Sequence, residues 1–400
     1  MKKRMKQLMA VMLSVALCVP AIPGAYGYAA TSGTTFTQEE EIALSGLGSE
    51  RSTLFNDGWK FSLSDPSGAE STSFNDGSWD AVTLPHDFSI SQNFTTSGEA
   101  ESGFLPGGTG WYRKSFTVPS GCDGKSVILS FDGVYQNAYV YVNGKQVGEN
   151  HYGYTSFAFD ISKYLVCDGL TDNVIAVKVV NKLPSSRWYS GTGIYRPVYL
   201  WTGDQKYIPV NGIKIHTVSY APAVIEVEIK TSCLGRVKAE VLDKENCILT
   251  QEVENTGHPS VFRMEIPNAK LWDCDHPNLY TLRATFGEDV VEETFGIRLL
   301  EWSPENGLTI NGKREILRGA CVHHDNGVLG ACTYPEAEER RVRILKENGY
   351  NAIRSSHYPC SKDLLDACDH QGMLVMDEYV DVWYIHKTKY DYVDYLQVHF

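Results

Sequence analysis

The sequence predicts a multidomain chain: an all-β jelly-roll sandwich, then an immunoglobulin-like β-sandwich, then the first part of a (β/α)8 TIM barrel. Three observations predict it. From Leu54 to about Gly203, short apolar runs broken by Gly, Asn and Asp succeed one another without a helical period. From about Tyr207 to Ile297 a second set of β runs follows, some alternating apolar and polar as half-buried strands do. After Arg318, three apolar runs are separated by helical patterns, which implies parallel strands with crossover helices. The 400 residues hold roughly two to four domains at about 100–200 residues each. The boundaries read as 1–30 targeting segment, 31–50 linker, 51–205 jelly roll, 206–299 immunoglobulin-like sandwich and 300–400 barrel.

The targeting segment has a basic start, Met1 to Lys6, an apolar stretch from Leu8 to Ile22, and small residues at Ala25, Gly27, Ala29 and Ala30. This is the form of a secretory signal cleaved near Ala29 or Ala30. Its apolar core is shorter than the roughly 20 residues a membrane span needs, and prolines break it. A secreted or cell-surface protein is therefore expected. Cys18 leaves with the signal. Nine cysteines remain, in irregular spacing and without a CxxC pair, so most are expected unpaired and a zinc ribbon is not supported. Cys321 and Cys368 sit in apolar patterns and read as buried small hydrophobes. The net charge of −13 carries no compensating basic stripe, which argues against nucleic acid or an anionic membrane as partner.

In the jelly roll, Trp111–Phe116, Val127–Phe131, Ala138–Val142 and Val174–Val180 read as strands. Asn143-Gly144 is a two-residue hairpin signal leading into Lys145–Val147. Gly-rich Phe104–Gly110 lacks the ending of a phosphate loop and reads as a turn. In the second sandwich, Ile225–Lys230 alternates cleanly, with Val237–Leu242 and Thr281–Phe286 as further strands. In the barrel, Leu308–Leu317 reads as a hairpin turning at Asn311-Gly312. Thr333-Tyr334-Pro335-Glu336 has the form of a capping box for a helix that runs to about Asn348, with Gly349 as its C-cap. Ser361 caps a second helix that Gly372 ends.

Polar, chemically capable residues stand where the three barrel runs end: His323-His324-Asp325, His357-Tyr358-Pro359 and Asp377-Glu378. In such a barrel the C-terminal strand ends form the active face. Three histidines and a carboxylate are also a zinc-like set, but adjacent His323 and His324 point to opposite faces of a strand. No metal site and no cofactor are therefore assigned. Adjacent Asp377 and Glu378 are poor candidates for the two carboxyls, about 5–5.5 Å apart, that a retaining glycosidase uses.

Several segments carry a resemblance. They are Trp79 to Asp87, Val140 to Gly144, Arg187-Trp188-Tyr189-Ser190-Gly191-Thr192-Gly193-Ile194-Tyr195-Arg196, Phe295 to Arg298, Arg318 to Asp325 and, most specific, Asn351 to Pro359. In that order they resemble glycoside hydrolase family 2, especially its β-galactosidases. The resemblance implies a sugar-binding jelly roll, an immunoglobulin-like domain and a barrel that hydrolyses terminal β-glycosides with retention. It also implies that the acid/base Glu follows strand four and the nucleophile Glu ends strand seven. Both positions fall beyond Phe400, so no catalytic residue is assigned, and residues 1–400 are expected to be an N-terminal portion inactive by itself. What carries over is substrate binding: His323, His357, Asp377 and Glu378, with Arg354 supporting the rim. The Arg187-Trp188 loop either reaches over the same pocket or serves as a domain-interface loop. Trp383 either stacks on the apolar face of a sugar or packs in a core. Positions that hold magnesium in some members are Asp381 and Trp383 here, and Arg187 replaces a carboxylate associated with sodium.

The expected function is thus an exported retaining hydrolase of terminal non-reducing β-D-galactosides, with an oligosaccharide or glycoside as its partner molecule. A homo-oligomer is compatible with these residues. A β-glucuronidase or β-mannosidase is the alternative within the class, and a non-catalytic carbohydrate-binding protein the alternative outside it.

Overall fold

The computed structural model of the chain describes residues 51–379. The expected signal and linker, and the positions of Asp381 and Trp383, lie outside the described residues. Three β-rich parts follow one another, and among the described residues no helix is long and apolar enough to cross a membrane.

The first part is a sandwich of a four-stranded and a six-stranded antiparallel sheet. The four-stranded sheet runs Ser52–Leu54, Val198–Gly203, Ser126–Phe131, Phe157–Asp160. The six-stranded sheet is built on the long central pair Gly108–Thr117 and Asp172–Asn181. Phe55, Trp59, Leu129, Phe131, Val140, Val177 and Leu200 fill the space between the sheets. The Asn143-Gly144 turn joins Asn137–Val142 to Lys145–Asn150. Both its residues have positive φ, +48° and +78°, as a two-residue hairpin of matching twist demands. The expected turn at Phe104–Gly110 ends earlier than anticipated, because Gly108 already pairs with Asn181.

The second part packs a three-stranded sheet on a four-stranded one. Alternation explains it: in Ala223–Ile229 every second side chain, Ala223, Ile225, Val227 and Ile229, is buried. These side chains meet Val237, Phe262, Leu282 and Phe286 in a separate core.

The hairpin Gly307–Ile310 and Lys313–Arg314 turns at Asn311-Gly312 (φ +52° and +75°) and leads to the third part. There, Gly319–Val322, Ala352–Ser355 and Leu374–Met376 pair in parallel. Helices Pro335–Glu347 and Lys362–Gln371 cross between them. Val342, Ile353, Leu364, Cys368 and Met373 form the helix-facing core of this unit.

Three local features differ from expectation. The capping box at Thr333 does not form. The proline ring locks φ of Pro335 near the helical value, which makes Pro335 the first helical residue and Tyr334 the N-cap, with no side-chain cap bond. Thr333 instead gives its backbone N–H to the Tyr195 carbonyl at 3.0 Å, tying the helix entry to the jelly roll. The first helix ends at Glu347, so its C-cap is Asn348, one residue before the expected Gly349, which follows at φ +84°. Ser361 does cap the second helix, accepting the Leu364 N–H at 3.2 Å, and Gly372 closes it in the left-handed region. Cys368 is buried as expected, but Cys321 is exposed. It pairs in register with Arg354, on the strand face turned away from the helices, at the open end of that face. The nine cysteines among the described residues are free thiols.

Candidate active-site rim

Register decides which side chains reach the rim. Ile353 is buried against the helices, so Arg354 projects from the opposite face of the same strand. Its neighbours across the sheet are Cys321 and Met376. The guanidinium Nε lies 2.5 Å from Glu378 Oε1, and Nη1 lies 3.6 Å from the Cys321 sulfur. The other Glu378 oxygen lies 2.8 Å from His357 Nδ1. A carboxylate only accepts, so that imidazole nitrogen carries a proton. Arg354 Nη2, 3.3 Å from the same nitrogen, is then a neighbour of it and not a donor to it. Partial burial opposes ionisation of Glu378. Hydrogen bonds from Arg354 and His357 outweigh it and hold the carboxyl below its ordinary 4.5. Hydrogen bonds from Ser356 and from the same guanidinium lower the Cys321 thiol from its ordinary value.

The loops beneath this triad are fixed by Asp377. Its Oδ1 accepts from the Ser355 hydroxyl at 2.7 Å and from the Cys360 N–H at 3.0 Å. The same hydroxyl accepts the Glu378 N–H at 2.9 Å. Asp377 thus orients the strand end that presents Glu378.

His323 stands across from His357, with ring centroids 6.1 Å apart. Trp188 of the jelly roll lies against both, 5.3 Å from His323 and 5.2 Å from His357. The Arg187 guanidinium sits over the Trp188 ring at 6.0 Å. Thus Trp188, His323, His357, Arg354 and Glu378 gather at one rim, Asp377 supports it from below, and Arg187 flanks it through Trp188. Among the described residues no group of three or more His, Cys, Asp and Glu side chains could hold a metal ion.

Residues that pattern reading left without a role hold the rim to the jelly roll. His324 points away from His323, as alternation requires, into a buried aromatic layer of Tyr135, Tyr152, Tyr154, Tyr195 and Tyr358. Tyr154 stacks on Tyr358 with centroids 4.0 Å apart and planes at 7°. Burial, reinforced by the Arg196 and Arg341 charges, drives His324 from 6.5 down to about 3, so the ring is neutral. Asp87, buried, accepts the N–H groups of Ser89, Thr192 and Ala331 and the Tyr189 hydroxyl. Arg196 reaches the carbonyls of Tyr154 at 2.8 Å and Pro359 at 3.1 Å. Arg341, from the first helix, donates to the carbonyls of His323 and Asp325 and to the Asn326 side chain. For Asp87, Arg196, His324 and Tyr358 the only sequence signal was membership of the quoted motifs, and Arg341 lies outside them; several partners lie more than 100 residues away.

A β-sandwich whose Trp188 loop overhangs the histidines and carboxylate of a barrel rim defines a multidomain class of protein that joins sandwich domains to a barrel. The comparisons narrow it. Residues 55–203 match the sugar-binding domain of glycosyl hydrolases family 2, residues 212–298 match a second family 2 domain, and residues 304–391 match its TIM barrel domain. The chain belongs to glycosyl hydrolase family 2. A beta-galactosidase of Bacteroides ovatus is 39% identical over 371 residues, covering 86% of this chain and 43% of that protein. A putative beta-glucuronidase of Formosa agariphila is 36% identical over 347 residues, covering 83% of this chain and 33% of that protein. A crystal structure of a family 2 member from Bacteroides cellulosilyticus superposes with a TM-score of 0.81 at 36% identity, over 87% of this chain and 48% of that one. A beta-glycosidase from Bacteroides vulgatus gives the same score and identity over 87% and 47%. The chain therefore spans less than half the length of each of these relatives.

Proposed function

We propose that this chain is the substrate-positioning portion of an exported retaining glycoside hydrolase that cleaves terminal non-reducing β-D-galactosides. The observation that carries the reading is the rim itself. Glu378 is held by Arg354 and His357, and Trp188 closes over His323 and His357. A flat indole beside hydrogen-bonding groups suits the mixed apolar and polar faces of a sugar. In this reading His323, His357, Glu378 and Trp188 touch the sugar, Arg354 and Asp377 hold them, and Arg187 borders the opening. Trp383 is a further stacking candidate. Hydrolysis needs a general acid and a nucleophile in addition to these groups, and this reading takes both from outside residues 1–400.

Galactose is favoured because the relative sharing 39% identity over most of this chain is named a beta-galactosidase. A glucuronide is the second reading, favoured by relatives named beta-glucuronidases at 36% and 31% identity. The deciding experiment is a panel of aryl β-glycosides with the full-length protein and with residues 1–400. The full-length protein should turn over the β-galactoside fastest, and residues 1–400 should turn over none. A dominant β-glucuronide rate would replace the galactoside reading. Robust activity of residues 1–400 would overturn the placement of the catalytic carboxyls. Export is supported by the form of residues 1–30. Mass spectrometry of secreted material should find a mature N-terminus near Ala30, and an intact Met1 there would refute it.

A further inference from the structure

Beneath the Trp188 loop lies a small, largely enclosed cavity walled by jelly-roll residues, among them Asn181, Ser185, Ser186, Trp188 and Gly191. It offers about 10 Å³ to the centre of a water-sized sphere, which is room for a single water molecule. Three buried polar atoms of the wall residues have no hydrogen-bond partner among the described residues: Asn181 Oδ1, Ser186 Oγ and Trp188 Nε1. Asn181 is 3% exposed and Ser186 7%. Buried polar groups of native proteins are nearly always paired, with protein or with ordered water. The far end of the Asn181 amide fixes its sense. Its Nδ2 lies 2.8 Å from Thr192 Oγ1 and 3.4 Å from the Gly191 carbonyl, which can only accept. Oδ1 is therefore the acceptor left over. An indole N–H can only donate. An occupant of the cavity must accept from Trp188 and donate to Asn181. A cation fails the first demand and an anion the second. Water meets both, and keeps a third bond for the Ser186 hydroxyl, which can donate or accept. Three bonds are the usual complement of a buried water.

We propose that this cavity is a binding site for one structural water, which joins Trp188 Nε1–H to Asn181 Oδ1 and Ser186 Oγ and makes Asn181 and Ser186 positioning residues for the Trp188 indole. The N–H edge of the indole is thereby tied into the jelly roll, while its ring lies against His323, His357 and Tyr358 of the barrel. The jelly roll thus sets the angle of the one side chain it lends to the rim through a bond that no direct contact makes. Under the proposed glycosidase function, on which only the ligand rests, Trp188 meets a sugar by stacking and gives its N–H to no hydroxyl. The water site itself rests on jelly-roll residues alone.

Two measurements on the full-length protein, both without substrate, test the site. A crystal structure at a resolution that shows ordered water should place one water within hydrogen-bond reach of Trp188 Nε1, Asn181 Oδ1 and Ser186 Oγ. A dry cavity there, or Trp188 Nε1 bonded directly to a protein atom, overturns the proposal. The second measurement is NMR of protein labelled with 15N at the tryptophan indoles, with Trp188→Phe identifying the Trp188 signal by its loss. The Trp188 N–H should receive magnetisation from a long-lived neighbouring water. Ser186→Ala removes one of the three bonds and should speed exchange of that N–H with solvent about fivefold, as loss of one hydrogen bond predicts. No transfer from water, or an exchange rate unmoved by Ser186→Ala, overturns the assignment. If Ser186→Ala does not fold, the crystal and the spectrum of the unaltered protein decide. Because no turnover is measured, failure here leaves the hydrolase reading intact, and failure of that reading leaves the water site intact.

Discussion

Asp87 of the jelly roll accepts the backbone N–H of Ala331, at the entry to the first barrel helix, at 2.9 Å. The same carboxylate receives Ser89 N–H at 3.0 Å, Thr192 N–H at 2.9 Å and the Tyr189 hydroxyl. Four donors from three segments converge on one buried side chain. Asp87→Ala would leave them without an acceptor, and a buried orphan donor costs about 1–3 kcal/mol. We expect a loss of stability on the order of 3 kcal/mol, read as an earlier transition in chemical denaturation. A midpoint unchanged from the parent would show that water replaces the carboxylate at no cost.

Where the jelly roll meets the second barrel helix, two carboxyls are raised. Burial lifts Asp132 from 3.8 to about 6, with Arg196 opposing and Asp363 adding to it. Burial likewise lifts Asp363 to about 6, with Asp366 and Glu338 adding and Lys362 opposing. A carboxyl whose folded value is raised binds its proton more tightly in the folded state. Its stabilising contribution is complete below the unfolded value and is lost as pH rises through the folded one. This pair should therefore favour the folded chain as pH falls from about 6 toward about 4. Asp132→Asn should raise the thermal midpoint near neutrality and flatten its pH dependence in that window. Glu378 acts in the opposite sense and lower down, since its carboxyl is held below 4.5. An Asp132→Asn profile parallel to the parent's would refute the assignment.

Ser361 offers a local test at the start of the second helix. Its hydroxyl accepts the Leu364 N–H at 3.2 Å, and the residue is buried. Ser361→Ala should cost about 1 kcal/mol, the usual worth of an N-cap. Ser361→Asp should recover most of it. Urea denaturation of the three proteins distinguishes a cap from a packing effect, since only the cap predicts that recovery.

Trp188 is the overhanging face of the rim. In the full-length protein, Trp188→Ala should raise KM for the preferred aryl glycoside about tenfold. That corresponds to losing roughly 1.4 kcal/mol, within the range of aromatic contacts. Trp188→Phe should lose less. A KM unchanged by Trp188→Ala would reduce the loop to an interdomain contact.

Local chemistry is legible in this sequence and long-range chemistry is not. The Asn143-Gly144 hairpin, the alternating strand read at Ile225–Lys230 and found at Ala223–Ile229, and the Ser361 cap each depend on neighbours within a few residues. The capping box at Thr333 misleads because its backbone serves Tyr195, some 140 residues earlier, while Pro335 starts the helix. Cys321 misleads because an apolar run does not say which strand face lies open. At the rim, the strand-end histidines and Glu378 are visible as residue types at run ends. Their arrangement is not, because Trp188 arrives from another domain and Tyr358 is hydrogen-bonded to the buried His324. Asp87, Arg196 and Arg341 belong to the same blind spot, since their roles lie in carbonyls and N–H groups that carry no sequence signature.

Arg341 has a consequence for how a ligand is met. Its guanidinium grips the backbone on both sides of His324, at the carbonyls of His323 and Asp325, from a helix turn already in place. The loop bearing His323 is therefore anchored before any ligand arrives, and little backbone freedom remains for binding to remove. Such a site discriminates by fit to a standing shape. Under the proposed glycosidase function, sugars differing in one hydroxyl's orientation should separate mainly in how fast they leave, and not in whether the loop closes on them.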